Sequence, residues 1–305
     1  MRVYRLKFCA GIDDVGLLPR AGNEFRGEAQ LLSDNDISHH YGSAGLSQRI
    51  VSALRKAGKS LDALTIEDLA PLDQFHTRGL AATRELVGFA GVKEAWRILD
   101  VGSGLGGPAR VFASQMKCHV TGVDITKEFC DAASLLSTLT SLEDVTEFRH
   151  ADATALPFDD ARFDLAFTIQ AQMSIEDKER FYAEIFRVLR PGGRFAFQDI
   201  MSGPGGDIVL PVPWATRRES SFLVAVDELR RILNERGFRI EKLDDISAEA
   251  LAWRKQQPVA AGLASSPLGL HVVMGEQFAA MQSNQIVNLE QHRVTYVRGV
   301  MIKPM

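Results

Sequence analysis

Three carboxylates in this chain stand at the ends of short apolar runs: Asp100 in Ile98-Leu99-Asp100-Val101, Asp124 after Val120-Thr121-Gly122-Val123, and Asp152 in His150-Ala151-Asp152-Ala153. Directly after the first run comes Gly102-Ser103-Gly104-Leu105-Gly106-Gly107. A glycine turn lets the backbone approach a ligand closely, and the helix that follows presents free N–H groups. A carboxylate at the end of the second run can accept hydrogen bonds from both hydroxyls of a ribose. One after the third is placed to meet an adenine amino group. By itself the glycine turn specifies only a strand-to-helix connection. With the three acids it predicts a site for a nucleoside-bearing ligand. Asp100 also sets the sign of that ligand, since it would repel a diphosphate and attract a cation.

Such a site needs strands and helices in alternation. Residues 97–101, 119–123, 145–149, 163–168, 194–200 and 238–243 read as strands, and 294–302 as the last. A helix is expected from Leu46, with Ser43 as its cap. Another follows Thr65-Ile66-Glu67-Asp68, which has capping-box spacing. A third is expected from a cap at Asp73, with Phe75, Ala82 and Leu86 on its apolar face. Further helices begin at Pro108, run over 126–138, carry Phe181, Ile185 and Leu189 to a stop at Arg190-Pro191-Gly192-Gly193, and run from a cap at Asp227 to Arg236. The alternation predicts an α/β fold with a doubly wound parallel sheet. Residues 1–36 read as a poorly ordered extension, 37–95 as an N-terminal helical cap, and 96–305 as the ligand-binding domain. Its inserts at 203–220 and 247–292, the second mostly helical, are expected to cover the ligand crevice.

The composition narrows the class. Of the 305 residues, 46% are hydrophobic and 24% charged, which suits a globular domain. The net charge of -4, with acids and bases mixed, lacks the basic footprint of a nucleic-acid binder. Arg217-Arg218 and Arg230-Arg231 are too short to form a patch. No apolar run is long enough for a bilayer, and the first residues lack the apolar core of a signal peptide. Cys9, Cys118 and Cys130 are odd in number and lack metal spacing, so a reducing, cytoplasmic setting is expected, with Cys118 and Cys130 in the core. His39 and His40 have no metal-ligand spacing, and no metal is expected. Neither a nucleic acid nor a membrane is an expected partner; a monomer or homodimer is.

Asp100-Val101-Gly102-Ser103-Gly104-Leu105-Gly106 resembles motif I of the class I S-adenosylmethionine (SAM)-dependent methyltransferases. Gly122-Val123-Asp124 is similar to their ribose-binding acid, Asp152-Ala153 to their adenine-side pair, and Arg187-Val188-Leu189-Arg190-Pro191-Gly192-Gly193 to the turn before their fifth strand. The resemblance implies a Rossmann-like sheet of seven strands, mostly parallel with the last antiparallel. It also implies an N-terminal helical lid and a helical insertion before the last strand. It implies SAM as cofactor and S-adenosylhomocysteine (SAH) as product. Asp100, Gly102, Ser103, Gly104 and Gly106 would hold the methionine portion, Asp124 and Ile125 the ribose and its surroundings, Asp152 and Ala153 the adenine, and Gln170 would line the methyl end. An NAD(P)-dependent oxidoreductase on a similar sheet is the alternative that Asp100 and Asp152 oppose. A non-catalytic SAM-binding protein is a third reading, and the intact glycine turn speaks against it.

After the fourth strand the chain reads Thr168-Ile169-Gln170-Ala171-Gln172-Met173, without the Asn/Asp-Pro-Pro-Tyr motif of nucleic-acid amino methyltransferases. A paired-glutamate loop like that of protein arginine methyltransferases is also missing. A small-molecule methyl acceptor is therefore expected. Outside the cofactor motifs, His40-Tyr41-Gly42, Asp73-Gln74-Phe75-His76, Gly107-Pro108-Ala109-Arg110, Met173-Ser174-Ile175-Glu176-Asp177-Lys178 and Pro211-Val212-Pro213-Trp214-Ala215 look like the branch of sarcosine/dimethylglycine and phosphoethanolamine N-methyltransferases and of ubiquinone and sterol C-methyltransferases. A sarcosine- or dimethylglycine-like amine is one implied acceptor, with N-, O- or C-methylation open. Tyr41, closing over the methyl group, and His76, as general base or donor, are the catalytic candidates. Gln172, Trp214 and His271 are the substrate-binding candidates, with Trp214 as an apolar or cation–π wall. Arg217 or Arg218 would hold a substrate carboxylate, and Asn284 and Asn288 are further candidates.

Overall fold

The computed structural model describes residues 45–257, 268–274 and 277–305. The expected extension 1–36, the start of the expected cap, Ser43 and Tyr41 lie outside the described residues. Three helices come first: α1 (Leu46–Lys56), α2 (Ile66–Asp73) and α3 (Gly79–Phe89). The αβ alternation follows as β1 (Arg97–Val101), α4 (Gly107–Met116), β2 (His119–Asp124), α5 (Lys127–Leu139), β3 (Thr146–His150), β4 (Phe163–Ile169), α6 (Lys178–Val188) and β5 (Leu189–Ser202). The chain ends with α7 (Val226–Glu235), β6 (Arg239–Asp245), α8 (Ser247–Gln256), α9 (His271–Met274), α10 (Phe278–Glu290) and β7 (Val294–Ile302).

The seven strands lie in the order β3-β2-β1-β4-β5-β7-β6. β7 is antiparallel to both β5 and β6, and the other pairings are parallel. Central β4 is buried at every position, as a strand covered on both faces must be. Alternate side chains supply two cores. On one face Leu99 and Val101 meet Phe181, Ile185 and Val188 of α6 and Leu229, Ile232 and Leu233 of α7. On the other, Ile98, Leu165 and Phe167 meet Leu86 of α3 and Phe112 of α4, with Phe112 and Phe167 stacked at 4.2 Å. Leu46, Ile50 and Leu54 of α1 and Leu69 and Leu72 of α2 pack with Ala132 and Leu136 of α5 and with Leu105 of the glycine turn. Helices before the sheet are thereby fastened to the turn itself.

The capping box at Thr65 forms in full: Asp68 N donates to Thr65 Oγ1 at 3.1 Å, and Thr65 N donates to Asp68 Oδ2 at 3.0 Å. Three local expectations are corrected. Asp73 caps no helix: it is the last residue of α2, and its carboxylate is spent on Arg110. Ala225, not Asp227, is the N-cap of α7, with Asp227 in its first turn. Arg190-Pro191-Gly192-Gly193 lies inside β5, because Gly192 N donates to Lys303 O and Lys303 N to Gly193 O, both at 2.9 Å. A partner from the far end of the chain converts a local turn into strand.

Candidate active site

The acids and glycines meet at the carboxyl ends of the central strands, where ligands of doubly wound sheets bind. β1 and β2 are in register from Arg97 with His119 to Val101 with Val123, so Asp100 and Asp124 come to neighbouring strand ends. The glycine turn folds back on β2: Gly102 N and Ser103 N both donate to Val123 O, at 2.8 and 3.0 Å. Asp124 ties the turn to the next loop, accepting from Gly104 N at Oδ2 and from Thr126 N at Oδ1, each at 2.9 Å. Gly106 has φ +74°, and a Cβ there would fall 2.4 Å from Cζ of Phe148. Glycine is required at that position on both counts.

Asp100 is 1% exposed, and its Oδ2 has no hydrogen-bond partner among the described residues. Burial, and then the negative charge of Asp124, hold its carboxyl well above the usual carboxylate range. Ser103 Oγ is likewise buried without a partner. A buried polar atom left unpaired is rare and expensive. An acceptor and a hydroxyl are thus left free beside the glycine turn. Ile125, directly after Asp124, is 66% exposed, an apolar surface suited to a flat ring. Asp152 is exposed, and its Oδ1 accepts from both Thr154 N and Thr154 Oγ1 at 2.8 Å. Those two bonds hold its carboxyl below the usual range. This set of donors and acceptors fits a cationic nucleoside ligand.

The turn is clamped from behind. Arg110 is fully buried and pairs with Asp73 at 2.7 Å, while donating to Leu105 O at 2.7 Å and Ala133 O at 3.1 Å. It joins the end of α2, the glycine turn and α5. The connection from α2 to α3 then roofs the crevice. Phe75 lies 3.5 Å from where a Gly104 Cβ would stand, and Thr77 N donates to Gln170 Oε1 at 3.3 Å. Gln170 has φ +51° at the end of β4, and the Cβ of its neighbour Ala171 lies 2.4 Å from where a Gly102 Cβ would stand.

The acceptor-side candidates are less gathered. His76 is 4% exposed; its Nε2 bonds to Gly79 O at 2.9 Å and to Thr83 Oγ1 at 3.0 Å. Burial pushes its imidazole down to about 4, which keeps it neutral at pH 7. Gln172 is buried; its side chain accepts from the Tyr182 hydroxyl and reaches Met201 Sδ at 3.5 Å. Trp214 donates to Ser221 Oγ at 2.9 Å and packs with Met173, Ile200 and Leu289, so it anchors its insert to the core. Asn288 clamps the same insert, with Val209 N donating to its Oδ1 and its Nδ2 donating to Val209 O. Asn284 donates to Pro211 O at 3.0 Å. Arg217 is exposed, and Arg218 pairs with Asp207 on the surface. His271 opens α9, and its side chain lies outside the described residues.

Two polar groups had no signal in the sequence. Asp199 of β5 is fully buried and accepts from the N–H groups of Ala171, Gln172 and Ile200, which fixes the loop after β4. Burial raises its carboxyl to about 7. Arg254 of α8 is buried against Thr77.

A doubly wound sheet with this turn and these strand-end acids defines a nucleoside-binding enzyme of the Rossmann-like class. A methyltransferase-domain family matches residues 99–197, the span from β1 to β5. An O-methyltransferase of Aspergillus sclerotiorum, resE, is 30% identical over 200 residues, which are 64% of this chain and 72% of that protein. A sterol methyltransferase-like protein of Botryococcus braunii is 37% identical over 122 residues, 40% of this chain but only 31% of the relative's length. The fold is also that of a Haemonchus contortus phosphoethanolamine N-methyltransferase solved with phosphomonomethylethanolamine and SAH, at TM-score 0.66 and 16% identity over 86% of this chain and 61% of that one. The chain belongs to the class I SAM-dependent methyltransferases. Among the described residues no helix is long and apolar enough to cross a membrane.

Proposed function

We propose that this protein transfers the methyl group of SAM to a small-molecule acceptor in the cytoplasm. The observation that carries the reading is Asp100: a buried carboxylate with an unpartnered oxygen, beside a glycine turn that Asp124 holds open. The ammonium of SAM would be the direct partner that Asp100 Oδ2 lacks; Arg110 acts on this carboxyl only through space. In this reading Gly102, Ser103, Gly104 and Gly106 border the methionine portion. Asp124 receives the ribose hydroxyls on its remaining lone pairs, Ile125 and Ala153 cover the adenine faces, Asp152 meets the adenine amino group, and Gln170 lines the methyl end. When bound, SAM supplies an electrophilic methyl group on a sulfonium that departs as a neutral thioether. The residues of this chain align the acceptor and keep water out.

His76 acts here as a positioning residue. Its Nε2 proton is committed to Gly79 O and Thr83, which supports the roof segment that carries Phe75 and Thr77. Gln172 and Trp214 act from behind the crevice wall. The helices from Leu46 to Phe89, with the described parts of the inserts 203–220 and 247–292, form the cover; Tyr41 lies outside the described residues. Calorimetric titration tests the cofactor reading: SAM and SAH should bind and NADH should not. Binding of NADH in place of both would overturn it.

A further inference from the structure

Arg254 is 6% exposed, yet it forms no ion pair with an Asp or Glu among the described residues. Its Nη2 donates to Thr77 Oγ1 at 2.8 Å, and its Nε has no partner among the described residues. The nearby acids are committed elsewhere: Glu249 of the same helix and Glu85 both pair with Arg78. The Trp253 ring, 5.1 Å from Cζ, offers a π face and no counter-ion. Arg254 also hydrogen-bonds the Tyr296 hydroxyl, which accepts from Thr77 Oγ1 and Gln285 Nε2 at 3.4 Å each, but burial keeps Tyr296 a neutral phenol, a polar partner without charge. A guanidinium enclosed without an opposite charge is strongly unfavourable unless a partner arrives.

This arginine belongs to a group of unpaired atoms. Gln170 Nε2, Gln198 Oε1 and Gln285 Oε1 are also buried without partners among the described residues. Thr77 connects them: its N donates to Gln170 Oε1 at 3.3 Å, and its O accepts from Gln198 Nε2 at 3.4 Å. Gln170 adjoins Ala171, which abuts Gly102 of the glycine turn. Through Gln170 and Ala171 the group adjoins the glycine turn. Among the described residues it leaves donors free on Arg254 and Gln170 and amide oxygens free on Gln198 and Gln285.

Resting on the SAM-dependent reading above, we propose that the methyl acceptor carries a carboxylate and that Arg254 is the residue that binds it. The planar fork of a guanidinium matches two carboxylate oxygens. Gln170 Nε2 adds a donor, while Gln198 and Gln285 accept hydrogen bonds from hydroxyl or amine groups on the rest of the molecule. Arg254 takes the part that Arg217 or Arg218 was expected to play.

The test uses the full chain saturated with SAH, and sodium benzoate against benzamide as a charged and a neutral probe of one shape. Binding is read by thermal-shift titration. Benzoate should bind at least about tenfold more tightly than benzamide, a difference of about 1.4 kcal/mol. Arg254→Met should abolish that preference and leave SAH affinity unchanged; if that variant does not fold, Arg254→Gln serves. Equal binding of the two probes, no benzoate binding, or a preference that survives in the variant would each overturn the proposal. Failure of the wild-type protein to bind SAH would instead overturn the cofactor reading, so the two failures are distinct.

Discussion

Asp124→Ala separates what one side chain does for the fold from what it does for the ligand. In the fold, Asp124 accepts two backbone N–H bonds, from Gly104 and Thr126. Its side chain is half-buried, so water recovers part of each bond, and at roughly 0.5–1 kcal/mol apiece the loss is about 1–2 kcal/mol. For the ligand, two charge-assisted bonds from ribose hydroxyls are worth roughly 1.5–3 kcal/mol each. SAH affinity should then fall by about a hundredfold or more. Asp68→Ala is the matched control. It removes the Thr65 capping box and the ion pair with Lys59, at a cost of about 1–2 kcal/mol, and touches neither the glycine turn nor a strand-end acid. Calorimetry with SAH and thermal unfolding are measured on both variants. The reasoning is refuted if Asp124→Ala keeps SAH affinity within about threefold of wild type, or if Asp68→Ala loses affinity to the same extent.

Gly106→Ala should cost about 2–4 kcal/mol in denaturant unfolding, from a left-handed φ and a clash with Phe148. Gly58→Ala, at φ +71° with nothing within 4 Å, should cost only the backbone part, and equal losses would contradict this. SAM binding should release a proton from Asp100, because the ammonium favours the ionised form of a carboxyl that burial has raised. Affinity then rises with pH, and calorimetric heats differ between buffers of unlike ionisation enthalpy; buffer-independent heats would argue against the contact. Asp199 is raised from 3.8 to about 7, so the stability it contributes is complete below pH 3.8 and is lost as pH rises through 7. At 1.36 kcal/mol per pH unit the loss is about 4 kcal/mol at most. Tm should decline from pH 5 to 8 in the wild type and much less in Asp199→Asn; parallel profiles would show that another group titrates.

The parts of this molecule that could be read from its residues are local. Strand, glycine turn and strand-end acid lie within a few residues of one another, and backbone geometry alone brings Asp100 and the turn together. The capping box at Thr65 is legible for the same reason. What escaped reading depends on partners far along the chain. Asp73 has the look of a helix cap, and only the fold shows that Arg110, 37 residues on, takes its carboxylate. Arg254 meets Thr77 across 177 residues with no period or motif to mark it. Gln172 and Trp214 are residue types that can touch a substrate, and their partners in the fold, the Tyr182 hydroxyl and Ser221, are marked by no local pattern. Gly192-Gly193 reads as a turn until Lys303 supplies its hydrogen bonds.

Methyl transfer itself is the most direct measurement. The purified chain is incubated with methyl-labelled SAM and a protein-free, nucleic-acid-free extract of small metabolites, with Asp124→Ala alongside. Label should appear in low-molecular-weight product with the wild type and fall by about a hundredfold with the variant at low SAM concentration. SAM bound but no label transferred, or label appearing only when protein or nucleic acid is added, would contradict it.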